Sequence, residues 1–241
     1  MILKGKMVLI TGSGHRLGRV MALAAARSGA DLIIHYGTSH EKALETQQMI
    51  QDRGQSAHLL QADLNHPDQV RGLIRQAREI GELYALVNNA SIFSPLHWDD
   101  TSLDAWNQHL NINLTAPFLL SQGFARDLAD DRQGRIINIL DWRALRPQAD
   151  HFPYTITKAG LAALTKSLAT ALAPKITVNG LSFGAILPPS DGQASEDILD
   201  QVPMDRWADL GEVGESLLFL LTGPTYITGE ILSLDGGRLL L

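Results

Sequence analysis

Tyr154 and Lys158 stand four residues apart in PYTITKAG, a spacing that puts both side chains on one face of a helix. A free phenol ionises at about pH 10 and is a poor acid or base at neutrality, and a neighbouring ammonium favours its phenolate form. Such a pair can give and take a proton. By itself the Y-x-x-x-K pattern describes a surface pair equally well. A second cluster, TGSGHRLG over 11–18, sets Gly12 and Gly18 around the passage into a helix that begins near Leu17. That turn lets backbone amides and a helix N-terminus approach a pyrophosphate. Leu17 occupies the third glycine position of G-x-G-x-x-G, so taken alone the turn reads equally as packing.

Elements that would position these groups follow from apolar runs at 7–11, 31–36, 58–63, 84–90, 135–140, 176–182 and 230–237. The runs are too far apart for hairpins, and most lack polar/apolar alternation, as strands buried on both faces of a parallel sheet do. Helix-length segments lie between them. One is LGRVMALAAARSGA, ended by Gly29; another is TSLDAWNQHLNINL, opened by Thr101 with Asp104 at the capping-box position. Strand and helix in alternation predict an α/β, Rossmann-type doubly wound sheet of about seven strands with helices on both faces. No compositional break divides residues 1–241, so one domain is expected. The Pro-, Gly- and acid-rich stretch 186–207 follows the end of a strand, where open α/β sheets bind ligands, and reads as a substrate lid or a solvated loop.

The composition, with 45% hydrophobic and 19% charged residues in 241, is that of a globular chain with a sizeable core. A net charge of −6 leaves no positive excess for a nucleic-acid backbone. The absence of cysteine excludes disulfides, cysteine-ligated zinc and thiol nucleophiles. His97, His109 and His151 show neither metal-ligand spacing nor an assignable carboxylate partner, so no metal is expected; His151 and Trp142 flank the reactive positions and line the pocket or simply pack. Arg143 and Arg146 read as surface or subunit contacts. The opening MILKGK runs into a strand without a signal-peptide pattern, and no run of apolar residues is long enough to span a bilayer. A cytoplasmic location and no membrane partner are expected.

Thr11, Gly12, Gly18, Asn88, Asn89, Ala90, Asn113, Tyr154 and Lys158 follow in the order of the short-chain dehydrogenase/reductase family, which the chain resembles over most of its length. Two departures are similar to its pteridine reductase branch. Arg16 replaces the middle glycine of T-G-x-x-x-G-x-G, and Asp141 replaces the serine thirteen residues before the tyrosine. Ser91 and Phe93, in NNASIF, also fall where that branch places a serine near the cofactor phosphates and a phenylalanine that stacks on pterin. Core packing is the alternative for Phe93.

The resemblance implies a nicotinamide cofactor held by Gly12, Arg16, Leu17, Tyr36, Thr38, Ser39, Asp63, Leu64, Asn88, Ala90, Ser91, Tyr154 and Lys158. No carboxylate stands between Tyr36 and Ser39, where an NAD enzyme carries one for its ribose, and Arg16, Thr38 and Ser39 can donate to a 2′-phosphate. NADPH is therefore expected, although the two hydroxyls could instead cap the helix near Glu41. The catalytic set implied is Asp141, Tyr154, Lys158 and Asn113, the last organising a water-linked path to the lysine. Arg16, Ser91, Phe93, Asp141 and Tyr154 would meet substrate. The expected activity is reduction of a C=N bond in a dihydropterin or dihydrofolate. Two alternatives stand beside it: an NADP(H)-dependent ketone or sugar reductase of the same family, and a non-catalytic NADPH-binding sensor or scaffold. The family also implies a homo-oligomer, commonly a tetramer, through segments 101–130 and 153–172, although the apolar run ITKAGLAALTKSLATALA would suit a helix on the sheet as well.

Overall fold

In the computed structural model, which describes residues 1–188 and 196–241, seven strands form a single sheet. They are β1 (Met7–Ile10), β2 (Asp31–Tyr36), β3 (Ala57–Gln61), β4 (Leu83–Asn88), β5 (Gly134–Asp141), β6 (Ile176–Phe183) and β7 (Ile231–Leu234). All neighbouring pairs run parallel, in the order β3-β2-β1-β4-β5-β6-β7. The helices are α1 (Arg16–Arg27), α2 (His40–Gln51), α3 (Pro67–Ile80), α4 (Leu103–Leu110), α5 (Ala116–Asp127), α6 (Phe152–Leu172) and α7 (Leu210–Thr222). This is the single-domain Rossmann-type architecture expected from the alternation of runs.

Successive residues of a strand point to opposite faces, and both faces here are covered. Val8 and Ile10 pack in a cluster with Met21 and Ala25 of α1 and Leu217 and Leu221 of α7. Leu9, between them, enters a second cluster with Leu73 of α3 and Leu120 and Phe124 of α5. Every residue of β6 is buried, including the polar Thr177, Asn179 and Ser182, as befits a strand covered on both faces. Each fully buried Leu or Ile contributes about 1.5–3 kcal/mol relative to an exposed one.

Strand ends depart from the expected runs where local bonding intervenes. The last strand stops at Leu234, ahead of Gly236 and Gly237, whose φ values of 63° and 86° leave the strand conformation. The helix expected to open at Thr101 is capped instead by Ser102, whose hydroxyl accepts the Ala105 amide at 3.2 Å. Thr101 turns its hydroxyl back to the His97 carbonyl, and Asp104 consequently falls one place short of the capping-box position. Between α4 and α5 the chain makes one π-helical turn, Asn111–Thr115, a widening often found at functional sites.

The strand order reverses between β1 and β4, and a crevice opens beyond their C-terminal ends at such a switch point. Residues after β1, β4 and β5 and the first turn of α6 converge there. Of the expected lid 186–207, residues 189–195 lie outside the described residues. Its flanks are anchored, with Ile186 and Val202 buried and a 3-10 helix at Glu196–Gln201. Among the described residues no helix is long and apolar enough to cross a membrane.

Candidate active site

The two central strand ends are laced together by side chains. The Thr11 hydroxyl accepts the amides of Asn89 and Ala90 at 2.9 and 3.0 Å, and the Asn89 amide group donates to the Thr11 carbonyl at 2.7 Å. These bonds bend the chain after Asn88, which is why β4 stops short of the apolar run. Gly12 adopts a φ of +62°, and a Cβ on it would come within 3.0 Å of the Ala90 backbone. At Gly18 a Cβ would lie 2.2 Å from the Gly12 carbonyl oxygen, so close packing of turn on helix demands glycine there. The turn's first two amides are not free: Gly12 donates to His35 Nδ1 and Ser13 to the His35 carbonyl, both at 3.1 Å. Gly12 thus serves by its conformation, and the amides left for an anion are those that open α1. His15, its N-cap, makes no side-chain cap, and no acid stands in the first turn.

Positive charge surrounds that helix end. Burial first, and then Lys42, Arg16 and Arg19, push the His15 imidazole below its ordinary range. Arg16 is exposed and reaches across the crevice to donate to the Pro188 carbonyl at 2.9 Å. Leu17 packs partly against the α1-side core. Ser39 is the N-cap of α2 but makes no side-chain cap bond, so the helix does not consume its hydroxyl; Thr38 beside it is exposed. The Tyr36 hydroxyl meets His40 Nδ1 at 2.7 Å. Asp63 is exposed just past β3 and accepts the Asn65 amide, while Leu64 is buried. Asn88 turns inward, 3% exposed, donating to Asn138 Oδ1 at 2.8 Å. It ties β4 to β5.

Across the crevice, Pro153 pre-sets the first turn of α6 and Tyr154 follows it. Lys158, one turn on, is buried and donates to the Ile139 carbonyl at 2.7 Å. Its ammonium lies 5.6 Å from the Tyr154 ring centre. Asn113, on the π-helical turn, accepts from the Ile92 amide at 2.9 Å and from the Ser91 hydroxyl at 3.1 Å. It donates to the Ile92 carbonyl at 3.0 Å and to Thr157 Oγ1 at 3.1 Å. Its side chain therefore braces the 91–92 loop against α6 and does not touch Lys158.

Asp141 ends β5, and its carboxylate charge acts on the buried Tyr154 phenol, so the structure brings the two into one site. The expectation that the neighbouring ammonium favours phenolate is not met: burial, and next the Asp141 charge, push the phenol well above its ordinary range, and the cation that works the other way is Arg143. Burial lowers the Lys158 ammonium to about 8, against the opposing pull of Asp141. Phe93 is 44% exposed and so is not a core residue. It stands edge-on to Tyr154 at 4.6 Å and lies parallel to the His151 ring at 3.7 Å.

Three site residues differ from the sequence reading. Arg143, expected at the surface or a subunit contact, has a side chain only 13% exposed, bonded to both Asp141 and Asp150. Burial opposes its charge, yet Asp150 and Asp141 hold the guanidinium firmly cationic. His151 does have a carboxylate partner, Asp150, at 3.2 Å. Sequence spacing hid the Arg143–Asp150 pair because the 142–151 segment folds back on itself, whereas the partner of His151 is its immediate neighbour in the chain. His35, not singled out as a site residue, sits under the glycine turn; the signal was a polar residue inside the apolar run DLIIHY. Among the described residues no group of three His, Asp or Glu side chains is arranged to hold a metal ion.

The residues present fit a dinucleotide. A glycine cradle that a Cβ would fill, an uncapped helix N-terminus in positive surroundings and an unspent Ser39 hydroxyl lead along one crevice to the Tyr154/Lys158 pair. Comparison with known proteins agrees. The short chain dehydrogenase family profile matches residues 6–198. The chain is 34% identical to the 2-dehydro-3-deoxy-D-gluconate 5-dehydrogenase of Bacillus subtilis, covering 98% of this chain and 96% of that protein. Its structure is similar to that of the FolM alternative dihydrofolate reductase 1 of Brucella canis complexed with NADP, with a TM-score of 0.92, 33% identity and 100% and 97% of the two chains covered. A short chain dehydrogenase of Burkholderia cenocepacia in complex with NADP gives 0.93 at 34% identity, covering 99% of each chain.

Proposed function

The chain belongs to the short-chain dehydrogenase family, a family of nicotinamide-dependent oxidoreductases, and on that premise we propose that it is an NADPH-dependent reductase of the C=N bond of a dihydropterin or dihydrofolate. The observation that carries the reading is the Asp141 charge acting on the buried Tyr154 phenol, with an exposed Phe93 ring 4.6 Å from that phenol's ring. When bound, the cofactor supplies the hydride.

The protein's own groups manage the proton and the geometry. The phenol carries its proton at neutral pH and can give it to a ring nitrogen as the adjacent carbon is reduced, although burial and the Asp141 charge make it a weaker acid than a free phenol. Asp141, beside it, offers an acceptor to the N–H groups of a flat heterocycle. Lys158, fixed by the Ile139 carbonyl, keeps a cation near the phenol ring and within the crevice. Phe93 supplies a stacking face worth about 0.5–1.5 kcal/mol beyond area burial. Since His151 covers one face, a substrate ring stacks on the other. Arg16 and Ser91 stand at the phosphate side, Arg16 bonded to Pro188 at the start of the segment we assign as lid, 186–207.

NADPH in preference to NADH follows from the absence of a carboxylate over 36–39 and the cations Arg16 and Lys42 near the α1 terminus. The NADP complexes among the structural neighbours support it. Exposed Phe118 on α5 and Ile156 on α6 support a homo-oligomer packed through those helices. The second reading, a carbonyl or sugar reductase, is favoured by the gluconate-derived substrate in the name of the Bacillus relative. One experiment separates them: NADPH oxidation followed with dihydropterins, dihydrofolate, ketones and sugar acids. Turnover of a pterin or folate is expected; turnover of carbonyl compounds with none of a pterin or folate overturns the first reading in favour of the second.

A further inference from the structure

Asp150 lies outside every motif, yet it is the hub of the polar network behind the site. Its Oδ1 accepts from Arg143 Nε at 3.2 Å, and its Oδ2 accepts from Arg143 Nη2 at 2.6 Å and meets His151 Nδ1 at 3.2 Å. The same Arg143 reaches Asp141 only at 3.5 Å through Nη1, although its backbone amide binds that carboxylate at 2.9 Å. One guanidinium is thus shared unequally between two carboxylates. The bidentate fork goes to the carboxylate that does not face the phenol. His151 closes the other arm: it carries a φ of +49° and ψ of +48°, an uncommon backbone for a non-glycine residue, and lays its ring on Phe93 at 3.7 Å.

We propose that Asp150 is a positioning residue: by clamping Arg143 with two bonds and His151 with a third, it limits the guanidinium to one long contact with Asp141, leaves that carboxyl beside Tyr154, and fixes the ring that backs Phe93. The proposal rests on Tyr154 as the proton donor and not on which substrate is reduced. The charged groups around that phenol are Asp141 and Arg143 at the end of β5, Lys158 on its own helix, and Arg238 of the C-terminal segment, whose guanidinium lies 4.2 Å from the Trp142 ring that Arg143 also covers at 4.7 Å. Of these, Arg143 is the one Asp150 restrains. Freed, it swings to Asp141, and the phenol sees more positive and less negative charge.

The test is an ultraviolet titration of phenolate in the full-length protein, with the Tyr154→Phe spectrum subtracted so that one of the four tyrosines is read. In Asp150→Asn the Tyr154 phenolate is expected at a pH about one unit below that of the unaltered protein. Asp150→Glu, which keeps the charge, is expected to titrate as the unaltered protein does. NADPH affinity is expected unchanged in both. Should Asp150→Asn fail to fold by circular dichroism, Asp150→Ala removes the same carboxylate and carries the same expectation. An unmoved or upward titration in a folded variant, or an equal shift in Asp150→Glu, overturns the proposal. Because the titration needs no substrate, a chain that reduces no pterin leaves this result standing.

Discussion

His35 accepts the Gly12 amide on Nδ1 and meets the Ala62 carbonyl through Nε2, both at 3.1 Å. That pattern sets the tautomer: Nδ1 is bare and Nε2 carries the proton. Protonating Nδ1 would set one N–H against another, and burial pushes the imidazole down to about 4. The folded form is thus below the unfolded value of 6.5, the unfolded chain binds the proton first, and stability is lost as pH falls from about 6.5 towards 4. The loss expected between pH 7 and pH 4.5 is about 2 kcal/mol for this buried group. Denaturant unfolding at pH 7 and pH 4.5 measures it, and in His35→Gln the difference shrinks; an unchanged difference counts against the assignment.

Lys158 gives a second pH dependence. Its ammonium is held by one carbonyl in a buried site and ionises at about 8. The cation needed beside the phenol is present below that pH and lost above it. NADPH-dependent turnover is therefore expected to fall as pH rises through about 8, and the limb disappears in Lys158→Arg, whose guanidinium stays charged. A limb that persists in Lys158→Arg assigns it to another group.

The fold was legible because apolar runs in a doubly covered parallel sheet have no other use: Val8, Leu9 and Ile10 are all buried whichever face they meet. The Tyr154/Lys158 pair was legible because four residues on a helix fix a common face. What sequence spacing could not give was the 142–151 turn, in which residues seven apart, Arg143 and Asp150, become partners through backbone reversal. Nor could it show that the Gly12 amide is spent on His35, since pairing across parallel strands depends on register.

Cofactor preference is testable at Thr38, which is exposed beside the uncommitted Ser39 hydroxyl. Thr38→Asp introduces the carboxylate that suits two ribose hydroxyls and repels a 2′-phosphate. The ratio of kcat/KM for NADPH to that for NADH is expected to fall about tenfold to a hundredfold, by about 1.4–2.8 kcal/mol. An unchanged ratio would place the phosphate elsewhere.

Gly18 tests the packing beneath the site. A methyl group there would meet the Gly12 carbonyl at 2.2 Å and the Ser13 backbone at 2.8 Å, and neither atom is the movable end of a side chain. Gly18→Ala is expected to cost about 1–3 kcal/mol in denaturant unfolding and to weaken NADPH binding, because relief requires moving the turn. A variant that binds normally with full stability would show the turn to be looser than its packing implies.

The sharpest test of the chemistry is Asp141→Ser, which restores the serine that the resemblance leads one to expect thirteen residues before Tyr154. Removing the carboxylate takes away the charge that, next to burial, holds the phenol up, so its ionisation moves to lower pH. A serine hydroxyl can donate to a carbonyl oxygen but offers no anionic acceptor to the N–H groups of a heterocycle. Pterin reduction is expected to fall by about a hundredfold or more, while NADPH affinity stays within about twofold and turnover of a ketone rises or holds. If instead pterin turnover survives with its pH profile unmoved, Asp141 has no part in proton delivery, and the substrate assignment drawn from it falls with it.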